Sequence, residues 1–93
     1  MLDNNYKDSK GRFYVYIVKC ADRTYYTGYT PDIEKRIKLH NEGIGAKYTR
    51  GRRPVRLVWS KEYRYPKLAM QDEYRIKKLK RWQKEILIND RSE

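Results

Sequence analysis

Four groups of residues in this chain are of types and spacings that could do chemistry. The run YVYIVKCADRTYYTGY, from Tyr14 to Tyr29, holds five of ten tyrosines. Phenols at strand spacing either fill a core or present a hydroxyl at a fixed point. Further on, Arg36 and His40, the only histidine, stand one helical turn apart. They share a semi-buried face beside Ile33 and Ile37, where a charged group needs a partner or a function. A third group is Asp72 and Glu73, two carboxylates in a segment crowded with Lys77, Lys78, Lys80 and Arg81. Such a carboxylate serves an internal ion pair, or it holds a hard cation together with phosphate oxygens and waters. Periodicity does not choose between the two carboxylates. The fourth group is RGRRPVR, with Arg50, Arg52, Arg53 and Arg56 flanked by Tyr48 and Trp59. Arginines beside aromatics suit phosphate contacts and base stacking.

Composition narrows the partners of these groups. The net charge of +11 over 93 residues is a long-range field suited to a polyanion. Nucleic acid is the expected partner. A membrane surface is disfavoured, since no basic helix carries a wide apolar face, and no apolar run approaches the ~20 residues of a span. Cys20 is alone, which excludes an internal disulfide and a cysteine-based zinc site, and it reads as a small strand hydrophobe. MLDNNYKDSKGR lacks the apolar middle of a signal peptide, so a reduced, cytoplasmic setting is expected. Glycine-rich phosphate loops, HExxH and Ser/His/Asp spacings are absent.

The elements that must position these residues follow from periodicity. Residues 1–11 are polar and read as a flexible tail, leaving one domain over 12–93. RFYVYIVKC places Phe13, Val15 and Ile17 on one face and Tyr14, Tyr16, Val18 and Cys20 on the other. A strand apolar on both faces is expected to be central. ADR turns the chain into a second strand, TYYTGY, where Gly28 marks a bulge or a close backbone approach. A helix is expected from Thr30 as N-cap, with Pro31 in its first position, to a stop at Gly43. One further helical turn is expected around Ala46 to Arg50. VRLVWSKEY gives a third strand with Val55, Leu57 and Trp59 sharing a face. KLAMQDEYRIKKLKR gives a helix with a core stripe of Leu68, Ala69, Ile76 and Leu79, and WQKEILIND a last short one. The order is β-β-α-β-α-α, an α+β fold with a three-stranded antiparallel sheet flanked by helices.

Taken in order, the tyrosines, the helix and the carboxylate resemble the GIY-YIG nuclease superfamily. Tyr14-Val15-Tyr16 stands for its first tripeptide and Tyr26-Thr27-Gly28 for its second. GAKYTRGRRPVRLVW and AMQDEYRIKKLKR resemble the small stand-alone bacterial branch. The resemblance implies that Tyr16 is the general base, or orients the attacking water, and that Tyr26 positions water and phosphate. It implies that Arg36 stabilises the phosphorane, that His40 handles protons or phosphate, and that Glu73 rather than Asp72 holds one divalent ion, Mg2+ or Mn2+. Tyr48 falls where relatives carry a further histidine or tyrosine. The chain departs from the pattern at Tyr14 and Val15, and Asn89 is a weak match to a C-terminal asparagine of some relatives.

The expected function is metal-dependent endonucleolytic hydrolysis of DNA, branched or single-stranded forms included, in repair or processing, with RNA left open. Lys47, Arg50, Arg52, Arg53, Arg56 and Lys77 are the expected nucleic-acid contacts. A phenol with an ordinary pKa near 10 is a poor base at neutral pH, and nearby Arg36 together with a metal is expected to lower it. The chain is expected to be a monomer with no appended DNA-binding domain, its cutting site chosen with a protein partner. The alternative is a non-catalytic nucleic-acid-binding module on the same fold. An adaptor for acidic proteins rests on net charge alone. Five residues of catalytic type in the right order favour the enzyme, because a pure binder needs only basic ones.

Overall fold

Strand β1, Phe13–Lys19, is built almost wholly from β-branched and aromatic residues, which suit a pleated and buried surface. It lies between β2, Tyr25–Thr30, and β3, Arg56–Tyr63, antiparallel to both. The computed structural model describes residues 12–90, so the expected tail over 1–11 lies outside the described residues. The central place of β1 accounts for its two apolar faces, with Val15, Tyr16, Ile17 and Val18 fully buried. On one face Phe13, Val15 and Ile17 pack with Tyr63, Ala69 and Ile76. On the other, Tyr16, Val18 and Cys20 pack with Val55, Tyr26, Ile33 and Ile37.

Helices cover both faces. Helix α1, Ile33–Asn41, closes the Tyr16 side, followed by the single turn α2, Lys47–Arg50. Helices α3, Pro66–Lys77, and α4, Arg81–Asn89, close the Phe13 side through Ala69, Ile76, Leu87 and Ile88. The α+β class and the central position of β1 agree with the reading of the sequence.

Gly28 resolves as a close approach rather than a bulge. It pairs directly with Tyr16 across the β1–β2 ladder, and the Tyr16 ring lies over it, in the space a Cβ would fill. Gly43 ends α1 at φ +87. Its N–H and that of Ile44 return to the carbonyls of His40 and Leu39, so two helix-end acceptors are satisfied.

Four expectations fail for local reasons. The N-cap of α1 is Asp32, whose carboxylate accepts the Lys35 N–H, so Pro31 stands before the helix rather than in it. Thr30 instead closes β2 and bonds the Asp32 backbone. Val55, Leu57 and Trp59 do not share a face, because Val58 is an extra residue between the rungs Ile17–Trp59 and Val18–Leu57. Val55 therefore packs beside Tyr16, Leu57 is exposed, and Val58 and Trp59 both meet the Phe13 side. Trp59 thus packs, partly buried, at the margin of the Phe13-side core. Residues 67–81 are not one helix: α3 ends at Lys77, and the Gln83 side chain accepts the Lys80 N–H to start α4. Leu68, expected in the core stripe, is exposed.

Gly28→Ala tests the packing of Tyr16 through the sign of its effect. Alanine in a strand is ordinarily tolerated better than glycine. Here the added methyl meets a buried ring, and overpacking should destabilise the fold by about 1–3 kcal/mol in urea unfolding. An unchanged or raised stability would show that the ring does not lie over Gly28.

Candidate active site

The Tyr16 side of the sheet gathers the reactive groups from four elements. β1 supplies Tyr16, β2 supplies Tyr26, α1 supplies Arg36 and His40, and the segment after α1 supplies Tyr48 and Thr49. The Tyr16 hydroxyl stands 2.8 Å from His40 Nε2, and Arg36 Nε–H donates to the same oxygen at 3.4 Å. Arg36 also donates from Nη2 to the Gly45 carbonyl at 2.9 Å, which holds the guanidinium in the site. The second ring nitrogen of His40 meets the Thr49 hydroxyl at 2.8 Å. Tyr16, His40 and Thr49 are all fully buried.

Aromatic rings wall this network. Tyr26 meets the His40 ring edge-on at 5.4 Å and stacks on Tyr48 at 5.8 Å. The guanidinium of Arg52 lies 4.0 Å over the Tyr48 ring. Its Nε–H is tied to Asp22 at 2.9 Å and its Nη1–H to the Tyr48 carbonyl at 2.7 Å. Asp22 in turn fixes the hairpin between β1 and β2 by accepting both the Thr24 N–H and its hydroxyl.

The two carboxylates of α3 separate cleanly. Asp72 accepts the Tyr63 hydroxyl in a short bond and the Arg75 Nε–H at 3.0 Å. The Tyr63 bond, with Arg75, holds its carboxyl below the usual range. Glu73, one residue on, pairs with Lys77 at 3.2 Å, and the Lys77 ammonium stands 5.8 Å over the Tyr26 ring. Glu73 also lies close enough to Tyr16 to act on it electrostatically. Asp72 is therefore occupied at the core, and Glu73 belongs to the side of the tyrosines. Among the described residues no three His, Cys, Asp or Glu side chains form a cluster fit to hold a metal.

Burial favours the neutral forms of the Tyr16–His40 pair. Burial pushes the Tyr16 phenol above its ordinary value, although Arg36 pulls it down through a hydrogen bond and its charge. Arg36, expected together with a metal to lower the phenol, does pull it down, but desolvation outweighs it and the net shift is upward. Burial, reinforced by Arg36, pushes His40 below its ordinary value. Cys20, buried under the hairpin, keeps its thiol proton because burial raises it as well.

The basic residues divide. Lys47 and Arg50 are exposed on α2. Arg52 is occupied as described, and Arg53 donates to the carbonyls of Arg50 and Asn41. Arg56 borders a surface depression with Lys19, Tyr25 and Asn89, away from the ring wall. Thr49 and Gly45 are the site residues that the sequence reading missed. A four-residue helix has no periodicity to show that Thr49 points inward, and Gly45 reads as one more loop glycine.

A profile of the GIY-YIG catalytic domain matches residues 12–85. A UPF0213 protein of Clostridium perfringens is 56% identical over 79 residues, 85% of either chain. A UPF0213 protein of Halobacterium salinarum is 54% identical over 74 residues, which are 80% of this chain and 96% of that one. The solution NMR structure of a UPF0213 protein from Bacillus halodurans matches with a TM-score of 0.55 at 51% identity, covering 83% of this chain and 82% of the other. A second NMR structure, of a protein from E. faecalis, matches with a TM-score of 0.59 at 38% identity, covering 85% and 84%.

The depressed His40 makes a signed prediction. The unfolded chain binds a proton at this residue near pH 6.5, whereas the folded chain binds it only at lower pH. The unfolded state therefore holds more protons in that window, and stability falls as the pH drops below about 6.5, by at most about 1.4 kcal/mol per pH unit. Urea midpoints for the parent should decline from pH 7 to pH 5. In His40→Gln that decline should disappear, whatever the stability of the variant at pH 7. Equal slopes in the two proteins would place the titration elsewhere.

Proposed function

Since the chain belongs to the GIY-YIG family, we propose that it is a metal-dependent endonuclease that hydrolyses DNA phosphodiester bonds. The observation that carries this reading is the hydrogen-bonded set Arg36–Tyr16–His40, walled by Tyr26, with Glu73 joined to that wall through Lys77. Basic residues suffice for binding. A buried phenol between an imidazole and a guanidinium is what proton abstraction from water requires.

The chemistry runs along these contacts. The Tyr16 hydroxyl gives its proton to His40 Nε2, 2.8 Å away, and the phenolate oxygen remains against the Arg36 Nε–H. That oxygen takes a proton from the attacking water as the new P–O bond forms and the P–O bond to the leaving oxygen breaks. Arg36, anchored on Gly45, stabilises the negative charge that builds on the phosphate. Tyr26 positions water and phosphate at the rim. Burial favours the neutral forms of both Tyr16 and His40, so the transfer is uphill and relies on the Arg36 guanidinium to hold the phenolate. Glu73 fits a divalent ion as a single carboxylate that completes its shell with phosphate oxygens and waters, and its present partner is already a cation. When bound, such an ion neutralises the phosphate and the leaving oxygen. Lys47 and Arg50 serve the flanking phosphates.

One observation favours a second reading, a non-catalytic nucleic-acid-binding module. Tyr16 and His40 are fully buried, as residues of a purely structural network would be. Hydrolysis requires that water reach the Tyr16 oxygen once substrate is bound, and binding alone does not.

Cleavage of labelled duplex, single-stranded and branched DNA with Mg2+, Mn2+ or EDTA separates the two. Cutting should need a divalent ion, and Tyr16→Phe should slow it by roughly 10²–10⁴ with affinity unchanged. Glu73→Ala should remove metal-dependent cutting and leave binding intact. Asp72→Ala should keep cutting and cost about 1–3 kcal/mol of stability, since it strips the Tyr63 hydroxyl of its acceptor. Cutting by Tyr16→Phe at the parent rate would return Tyr16 to the core and withdraw the mechanism. No cutting of any substrate by the parent would leave the binding module.

A further inference from the structure

We propose that Thr49 is a positioning residue for this reaction: its hydroxyl accepts the His40 Nδ1 proton and so leaves Nε2 free to take the proton of Tyr16. The proposal rests on the nuclease reading for its consequence, and on proton bookkeeping for its geometry.

The bookkeeping has one consistent solution. Thr49 Oγ lies 2.8 Å from His40 Nδ1 and 3.1 Å from the Ala46 carbonyl. A carbonyl only accepts, and a hydroxyl has one proton to give. If that proton goes to Ala46, Thr49 must accept from His40, whose Nδ1 then carries the hydrogen. His40 Nε2 is left with a lone pair, and Tyr16 donates to it while accepting from Arg36. Every proton in the chain has an acceptor.

The reverse assignment breaks at both ends. If Thr49 donated to Nδ1, its oxygen would face the Ala46 carbonyl with lone pairs on both sides. His40 Nε2–H would then donate to the Tyr16 oxygen, which already receives the Arg36 Nε–H. The Tyr16 proton would have no acceptor among the described residues, in a place no solvent reaches. A buried donor left unpaired costs about 1–3 kcal/mol.

The loop is shaped to hold this arrangement. Gly45 lies so close to His40 that a Cβ there would stand 2.6 Å from Nδ1 and 2.7 Å from the histidine Cα. The Ala46 carbonyl also accepts the Thr49 N–H at 3.2 Å, so the single turn of α2 aims the side chain and its final acceptor together. This chain of donors ends on a neutral carbonyl rather than a carboxylate. Thr49 therefore selects the tautomer of His40 without stabilising its charged form, and burial keeps the imidazole neutral at rest. Nδ1–H is the less populated form of free neutral histidine in water, so a partner is needed to impose it.

Long-range proton–nitrogen correlation spectra of the full chain read the tautomer directly. The parent should show a protonated Nδ1 and an unprotonated Nε2. Thr49→Val, which keeps the shape and loses the hydroxyl, should shift His40 toward the other tautomer and slow DNA cleavage about 10- to 100-fold, as loss of an orienting partner commonly does. Thr49→Ser should restore both. A parent with Nε2 protonated overturns the proposal, and so does Thr49→Val with its tautomer unmoved. A tautomer that moves while the rate holds removes Thr49 from the reaction. Should Thr49→Val fail to fold, the parent spectrum together with Thr49→Ser still decides. A parent that cuts no DNA ends the nuclease reading of the preceding section, while the spectrum separately supports or withdraws Thr49 as the orienter of His40.

Discussion

One buried hydrogen bond, from the Tyr16 hydroxyl to His40, joins the central strand to the first helix, and much of the molecule is arranged around it. The tyrosine reaches the histidine only by laying its ring across β2, so its partner on that strand must be glycine. The histidine is held only if the chain leaving α1 turns back closely over it. Gly43 makes that reversal at positive φ, and Gly45 makes the approach. In a low-dielectric interior a polar network of this kind is strong when complete and costly when any member is missing. Three positions with no side chain of their own are thus specified by one bond between two others.

The sheet divides labour between its faces. The Phe13 side carries ordinary core, with Val15, Ile17, Ala69 and Ile76 fully buried and Trp59, Leu87 and Ile88 at its margin. The Tyr16 side is smaller and is filled by groups with polar atoms. Helix α3 packs on the Phe13 side and reaches the Tyr26 ring through Lys77, and the 100° step between neighbouring helix residues is enough to give adjacent carboxylates different duties. Asp72 satisfies the buried Tyr63 hydroxyl, while Glu73 turns to Lys77 and the tyrosine wall. The tyrosines divide in the same way: Tyr25 and Tyr29 pack on the Phe13 side, and Tyr16 and Tyr26 stand with His40.

The strand order and the membership of both faces of β1 were legible, because period-two alternation in a continuous apolar run allows few other arrangements. Arg36 and His40 were legible as a pair because helical spacing puts them on one face. What stayed hidden had no periodic signal. The extra residue at Val58 changes which side chains share a face without altering composition, so Trp59 was assigned to the wrong surroundings. Asp32 displaced Thr30 as cap because each can bond a free helix N–H, and the choice depends on where β2 releases the chain. The phenol of Tyr16 was misjudged in net direction because a sequence shows a neighbouring charge and does not show how completely water is excluded. Thr49 was invisible for want of a second turn of helix.

The basic loop changes meaning once its partners are known. From sequence, four arginines in seven residues look like one surface for phosphate. In the structure, Arg52 is a strut: stacked on Tyr48, bonded to its carbonyl and clasped by Asp22 in the β1–β2 turn. Arg53 is another, spanning the carbonyls of Arg50 and Asn41 and lying where a side chain on Gly43 would be. Both guanidiniums are half of a contact that the fold uses, and their charge still adds to the field that draws a polyanion in. Lys47 and Arg50, by contrast, stand exposed on α2, the same turn that carries Thr49 inward. Four consecutive residues thereby face both ways.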